Sequence, residues 1–108
     1  MGANIPALTE AVYYILLSLM TPLHGYGIMQ NVEKLSGGRL RLAAGTLYGA
    51  INSMLEKAWI AALDNTADSR KKEYVITDAG KAVLRAEYRR LQELVNNGAA
   101  LLDEEGKA

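Results

Sequence analysis

Residues 45–80 read GTLYGAINSMLEKAWIAALDNTADSRKKEYVITDAG, and three textures follow one another within them. Leu47, Ala50, Ile51, Met54, Leu55 and Ala58 recur every three or four positions, the spacing that puts apolar side chains on one face of an α-helix. Thr46, Tyr48, Gly49, Asn52, Ser53 and Lys57 fall on its other, hydrogen-bonding face. Trp59–Asp64 and Lys71–Thr77 are short runs rich in Ile, Val, Tyr and Trp, separated by the polar Asn65-Thr66-Ala67-Asp68-Ser69-Arg70. That pattern predicts two strands around a turn, with Ile60, Ala62, Tyr74 and Ile76 facing the helices. Thr77 is then an N-cap and Asp78 an acid in the first turn of a further helix.

Upstream, Leu8, Ala11, Val12, Ile15, Leu16 and Leu19 mark a first helix that Pro22 stops. A second, shorter helix follows Gly25, with Ile28, Val32 and Leu35 on one face and Gly37-Gly38 ending it. Downstream, Leu84, Tyr88, Leu91, Leu94 and Val95 form a near-heptad seam on the last helix. This helix is expected to continue past Asn97-Gly98 towards Leu101 and Leu102. The seam is either cover for the first helix or a surface for a second subunit. The order is three helices, two strands and a long helix. This predicts a mostly α fold with a small β-hairpin, the winged helix-turn-helix arrangement. Residues 1–77 would form the DNA-binding part, and 78–108 a dimerisation helix with an acidic tail, in one compact unit.

Composition narrows the chemistry. The chain has 108 residues, half of them hydrophobic and 22% charged, the balance of one globular domain. It has no cysteine, which removes thiol nucleophiles and zinc–thiolate sites, and its single histidine, His24, excludes a multi-histidine metal site. Acids such as Glu56, Asp64 and Asp78 have no visible catalytic partner, and no phosphate-binding Gly-rich loop is present. No enzyme activity, metal or cofactor is expected. No apolar run is long enough to span a bilayer, and residues 1–6 lack the charged start of a signal peptide, so a cytoplasmic location is expected. The net charge of zero is unevenly spread: residues 34–90 hold eleven of the twelve bases against six acids, whereas residues 1–33 hold no base at all. Charge segregated in this way draws a polyanion to one face of a neutral protein.

Three motifs stand in register along this order: His24-Gly25-Tyr26-Gly27-Ile28, Gly45-Thr46-Leu47-Tyr48, and Lys72-Glu73-Tyr74-Val75-Ile76-Thr77-Asp78-Ala79-Gly80. Together they resemble the PadR family of bacterial winged-helix transcriptional regulators over roughly residues 7–92, in its short single-domain branch. The resemblance implies a repressor that binds a palindromic operator as a homodimer through its last helix. It also implies release by a small hydrophobic or phenolic effector near an aromatic on that helix, here Tyr88 with Leu8 and Val12. The chain departs from the pattern at four places. Ala43 stands where a capping Ser or Asn is usual, Ala58 and Ser69 where glycines are, and Ser53 where an arginine is common.

The residues themselves supply reasons for DNA binding. Thr46, Tyr48 and Gly49 lie at the start of the third helix, where free N–H groups and the helix dipole favour a phosphate. Asn52, one turn on, suits a bidentate contact with adenine. Arg70, Lys71 and Lys72 would bring charge to phosphate or a minor groove, and Arg39 and Arg41 flank the loop before the third helix. Tyr26 is expected to wedge between helices, and His24 to start the second helix with its ring satisfied. The alternative is a winged-helix module that holds a protein partner, favoured by the missing cap, by Ser53 and by the zero net charge.

Overall fold

The computed structural model describes residues 7–63 and 71–106. Its elements, in chain order, are α1 (Glu10–Ser18), β1 (Leu23–His24), α2 (Gly25–Leu35), α3 (Ala44–Glu56), β2 (Ile60–Leu63), β3 (Glu73–Ile76) and α4 (Asp78–Gly106). The three strands form an antiparallel sheet in the order β1-β3-β2, with Ile60 opposite Ile76 and Leu23 opposite Tyr74. The winged helix-turn-helix with a long last helix is therefore the fold.

The core is built where the helical stripes converge. Ile15, Leu16 and Leu19 meet Ile28 and Val32 of α2 and Leu47, Ile51 and Met54 of α3, all at or near zero exposure, and Ile60, Ile76 and Leu84 close the cluster. Each such side chain contributes roughly 1.5–3 kcal/mol by leaving water. The ends of the helices are set by local hydrogen bonds. Thr9 Oγ1 accepts the Val12 N–H at the start of α1, and His24 Nδ1 accepts the Gly27 N–H at 3.0 Å at the start of α2. The histidine thus takes the helix-start role expected for it.

α2 and α3 end in the same hydrogen-bond pattern with different residues at its left-handed position. After α2, the Gly37 N–H donates to Lys34 and the Gly38 N–H to Glu33, with Gly37 at φ 64°. After α3, the Ala58 N–H donates to Leu55 and the Trp59 N–H to Met54, with Ala58 at φ 60°. This closing pattern favours glycine, because a Cβ in the left-handed region costs about 1–2 kcal/mol. At its other end α3 starts from Ala43 with no side-chain cap. Ala58→Gly and Ala43→Ser are each expected to stabilise the fold by about 1 kcal/mol. Thermal denaturation checks this as a rise in Tm of about 4–8 °C apiece.

Four expectations need correcting. Ala62 is exposed although its cross-strand partner Tyr74 is buried, because β2 is an outer strand of the sheet. Tyr26 is 65% exposed and wedges between no helices: Gly25, Ile28 and Val32 form the buried face of α2, and Tyr26 lies about 160° around the helix from Ile28. Leu35 is exposed at the last turn of α2, past the reach of α1 and α3. Leu84 is only 6% exposed and belongs to the core, so it has no face to offer a second subunit. β1 went unanticipated, since two residues carry no periodicity. α4 continues through Asn97-Gly98 without a break. No helix among the described residues is long and apolar enough to cross a membrane.

Candidate nucleic-acid interface

α3 buries Leu47, Ile51 and Met54. Gly45, Gly49, Asn52 and Glu56 repeat at the same spacing on the diametrically opposite side, and all four are exposed. Thr46 and Tyr48 flank this outer stripe, also exposed. A Cβ on Gly45 or Gly49 would meet nothing within 4 Å, so no packing within the chain demands glycine there. Each costs the helix about 1 kcal/mol relative to alanine. What the two glycines leave is a flat strip of backbone ending at the Asn52 amide, beside first-turn N–H groups that receive no side-chain cap.

The cations around this helix are placed unequally. Lys71 is exposed at the start of the returning wing strand and Lys72 is half-buried, while Arg70, with the turn residues 64–70 including Ser69, lies outside the described residues. Arg39 is held by Glu10 at the start of α1 through two hydrogen bonds, one of them 3.0 Å. This contact keeps the Glu10 carboxyl below the usual carboxylate range. Arg41 pairs with Glu33 at 3.3 Å. Both loop arginines are thus engaged by acids of their own chain. Such exposed pairs are screened by water and exchange readily for a stronger anion. Lys57 places its ammonium 4.8 Å from the centre of the Trp59 ring, at the base of the wing.

A second feature involves the last helix. α1 and α4 enclose a groove of about 250 Å³, floored by Tyr13, Leu17, Met20, Leu84 and Tyr88 and edged by Lys81 and Arg85. Of the residues assigned to an effector, Tyr88 lines it, and Leu8 and Val12 do not, because both are half-buried against the core. Leu8 is held there by its N–H, which donates to Glu87 at 3.2 Å. Glu87 is buried and takes two 2.7 Å hydrogen bonds from Arg90, which holds its carboxyl below the ordinary range. Sequence reading missed Lys81 and Arg85, although their four-residue spacing on one helix, leading on to Tyr88, was visible. Beyond the groove, Leu91 is half-buried, and Leu94, Val95, Leu101 and Leu102 are exposed along α4.

Comparison with known proteins agrees with this geometry. Residues 14–86 match the Transcriptional regulator PadR-like family. A PadR family transcriptional regulator from Eggerthella lenta superposes with a TM-score of 0.68 at 27% identity, over 84% of this chain and 80% of that one. The fold is also shared with BpsR of Bordetella bronchiseptica, at a TM-score of 0.68 and 18% identity over 89% of this chain and 70% of that one. An uncharacterized 37.1 kDa protein in transposon TN4556 of Streptomyces fradiae is 36% identical over 66 residues, 61% of this chain. The chain spans only 18% of that relative's length. The family match covers the helix-turn-helix, the wing and the start of α4, the parts whose geometry is described above. The chain belongs to the PadR-like family of transcriptional regulators, and it has the winged-helix fold of the PadR structures.

Proposed function

We propose that the protein is a cytoplasmic homodimeric repressor that reads a palindromic operator. Each α3 would enter a major groove, and half-sites would lie about one helical turn, ~34–36 Å, apart. The observation that carries this reading is the outer stripe of α3, where Gly45 and Gly49 are glycines that the chain's own packing does not require. Backbone lacking side chains allows close approach to base edges, and Asn52 at the end of the strip supplies a directional contact. Thr46 and Tyr48 border the strip, with Lys71, Lys72 and Arg70 assigned to phosphates on the wing side. Arg39 would join them by exchanging Glu10 for phosphate. Residues 1–77 would then act as the DNA-binding part, with 78–108 pairing two copies through Tyr88, Leu91, Leu94 and Val95.

The α1–α4 groove suits the effector. Its apolar floor and two cationic edges fit a flat hydrophobic or phenolic molecule carrying an acid, bound near Tyr88. BpsR, which shares the fold, has its DNA binding regulated by 6-hydroxynicotinic acid. A ligand there would change the seating of α4 on α1, and with it the distance between the two recognition helices.

Selection of bound duplexes from a random DNA pool tests the reading, with enrichment of an inverted repeat as the expected result. Lys71→Ala should then weaken binding to all sequences and flatten the salt slope by about one unit. Gly49→Ala should raise stability by about 1 kcal/mol yet reduce operator affinity, a pairing that helix propensity alone does not produce. The second reading, a module for a protein partner, is favoured by the engagement of Arg39 and Arg41 with acids of their own chain. Salt separates the two. Six to ten phosphate contacts would lose ~10³–10⁵ in affinity between 50 and 200 mM, and apolar anchors far less.

A further inference from the structure

Tyr48 is 39% exposed on the flank of α3, but its ring does not stand free. A Cβ on Gly25 would fall 2.8 Å from the Tyr48 Cζ and closer still to its hydroxyl, so the phenol end lies on the backbone of the first residue of α2. The wing feels its hydroxyl as well. Tyr74 of β3 is 7% exposed, and its hydroxyl pKa is pushed up by burial first and then by the neighbouring Tyr48 hydroxyl. These two surroundings are already tied together. β1 runs directly into α2 and pairs with β3, with Leu23 opposite Tyr74. One α3 side chain thus bears on the start of α2, and through β1 on the wing strand paired with it.

We propose that Tyr48 is a positioning residue: seated on Gly25, where α2 leaves the strand that pairs with the wing, it fixes the direction of α3 relative to α2 and the wing, and so decides whether groove and wing contacts are made together. The proposal rests on the DNA-reading function above and refines it, assigning base contact to the Gly49–Asn52 strip and alignment to Tyr48. It also accounts for glycine at position 25, where any side chain would occupy the seat. The Tyr48 ring is terminal and partly exposed, so it can be displaced without unfolding the core. Gly25→Ala therefore moves the ring and leaves the rest of the protein in place.

The test uses the full chain and four variants, Gly25→Ala, Tyr48→Ala, their double, and Tyr48→Phe. Each is measured for Tm and for affinity to the selected operator and to a scrambled duplex. Gly25→Ala and Tyr48→Ala are each expected to lose ~10-fold in operator affinity, with the double no worse than Tyr48→Ala alone, because both remove the same seat. Tyr48→Phe keeps the ring in place and should retain the operator preference. The loss should be spread over all operator positions. Additive losses in the double variant, or a Tyr48→Ala loss confined to one base pair, would overturn the proposal. So would a fall in Tm with the operator preference intact. A wild-type chain that selects no duplex would overturn the DNA-reading assignment and this one with it, an outcome distinct from additivity, which removes only the role of Tyr48.

Discussion

Gly80→Ala is expected to destabilise the protein by about 3 kcal/mol and lower its Tm by about 15 °C, although alanine is the better helix former. Helix propensity alone gives the opposite sign, a gain of about 1 kcal/mol. The difference lies in what the first turn of α4 touches. A Cβ on Gly80 would fall 2.8 Å from Ile76 Cγ1 and 2.9 Å from the Trp59 carbonyl carbon, and nearer still to the carbonyl oxygen. That oxygen cannot step aside, because it accepts the Thr77 N–H at 2.9 Å, while Thr77 Oγ1 donates to the Ala58 carbonyl at 2.6 Å and accepts the Gly80 N–H at 3.1 Å. One side chain and four backbone groups therefore join the end of α3, the base of the wing and the start of α4. A methyl group there has to push this junction apart. Thermal denaturation followed by circular dichroism reads the result, and a Tm equal to or above that of the wild type would mean that α4 is not seated on Trp59.

The second large effect is expected on α4. Val95→Glu should halve the sedimentation mass without changing the fold of the subunit, since Val95 is 67% exposed and lies outside the core cluster. At 29 residues α4 is roughly 44 Å long, and the residues it buries, Gly80, Val83, Leu84 and Glu87, all lie in its first three turns. The remainder carries Leu94, Val95, Leu101 and Leu102 into solvent, an apolar face that a single subunit does not use. A second copy is its proposed cover. Separating the copies should also lower affinity for a two-half-site operator by ~10²–10⁴, because each recognition helix then binds alone. The same substitution at half-buried Leu91 would mix folding with association. An unchanged mass for Val95→Glu would take this stretch of α4 out of the interface.

Much of the fold was legible because its determinants are local or periodic. Stripes such as Ile15-Leu16-Leu19 and Leu47-Ile51-Met54 identify helices whatever they pack against, and Thr77 caps α4 through its own hydroxyl. The three registered motifs carried the family. The errors fall where the answer depends on a neighbour distant in sequence. Leu84 and Val95 belong to one heptad-like seam, yet α1 covers the first and leaves the second exposed. Tyr26 lacks a neighbour that its motif alone suggested, and Ala62 sits on an outer strand while its partner Tyr74 is the one buried.

The candidate site divides in the same way. Composition and periodicity alone determine that this is a small helical chain with a wing, that it lacks thiol and multi-histidine chemistry, and that α3 turns Gly49 and Asn52 away from the core. Tertiary structure decides how the charged and aromatic groups are used. It engages Arg39 and Arg41 with Glu10 and Glu33, brings Lys81 and Arg85 to a groove with Tyr13, and seats Tyr48 on Gly25, 23 positions earlier. The physical reason is one of range. Helical and strand periods follow from the backbone geometry of neighbouring residues, whereas a partner for a long polar or aromatic side chain is fixed only when separate elements come together.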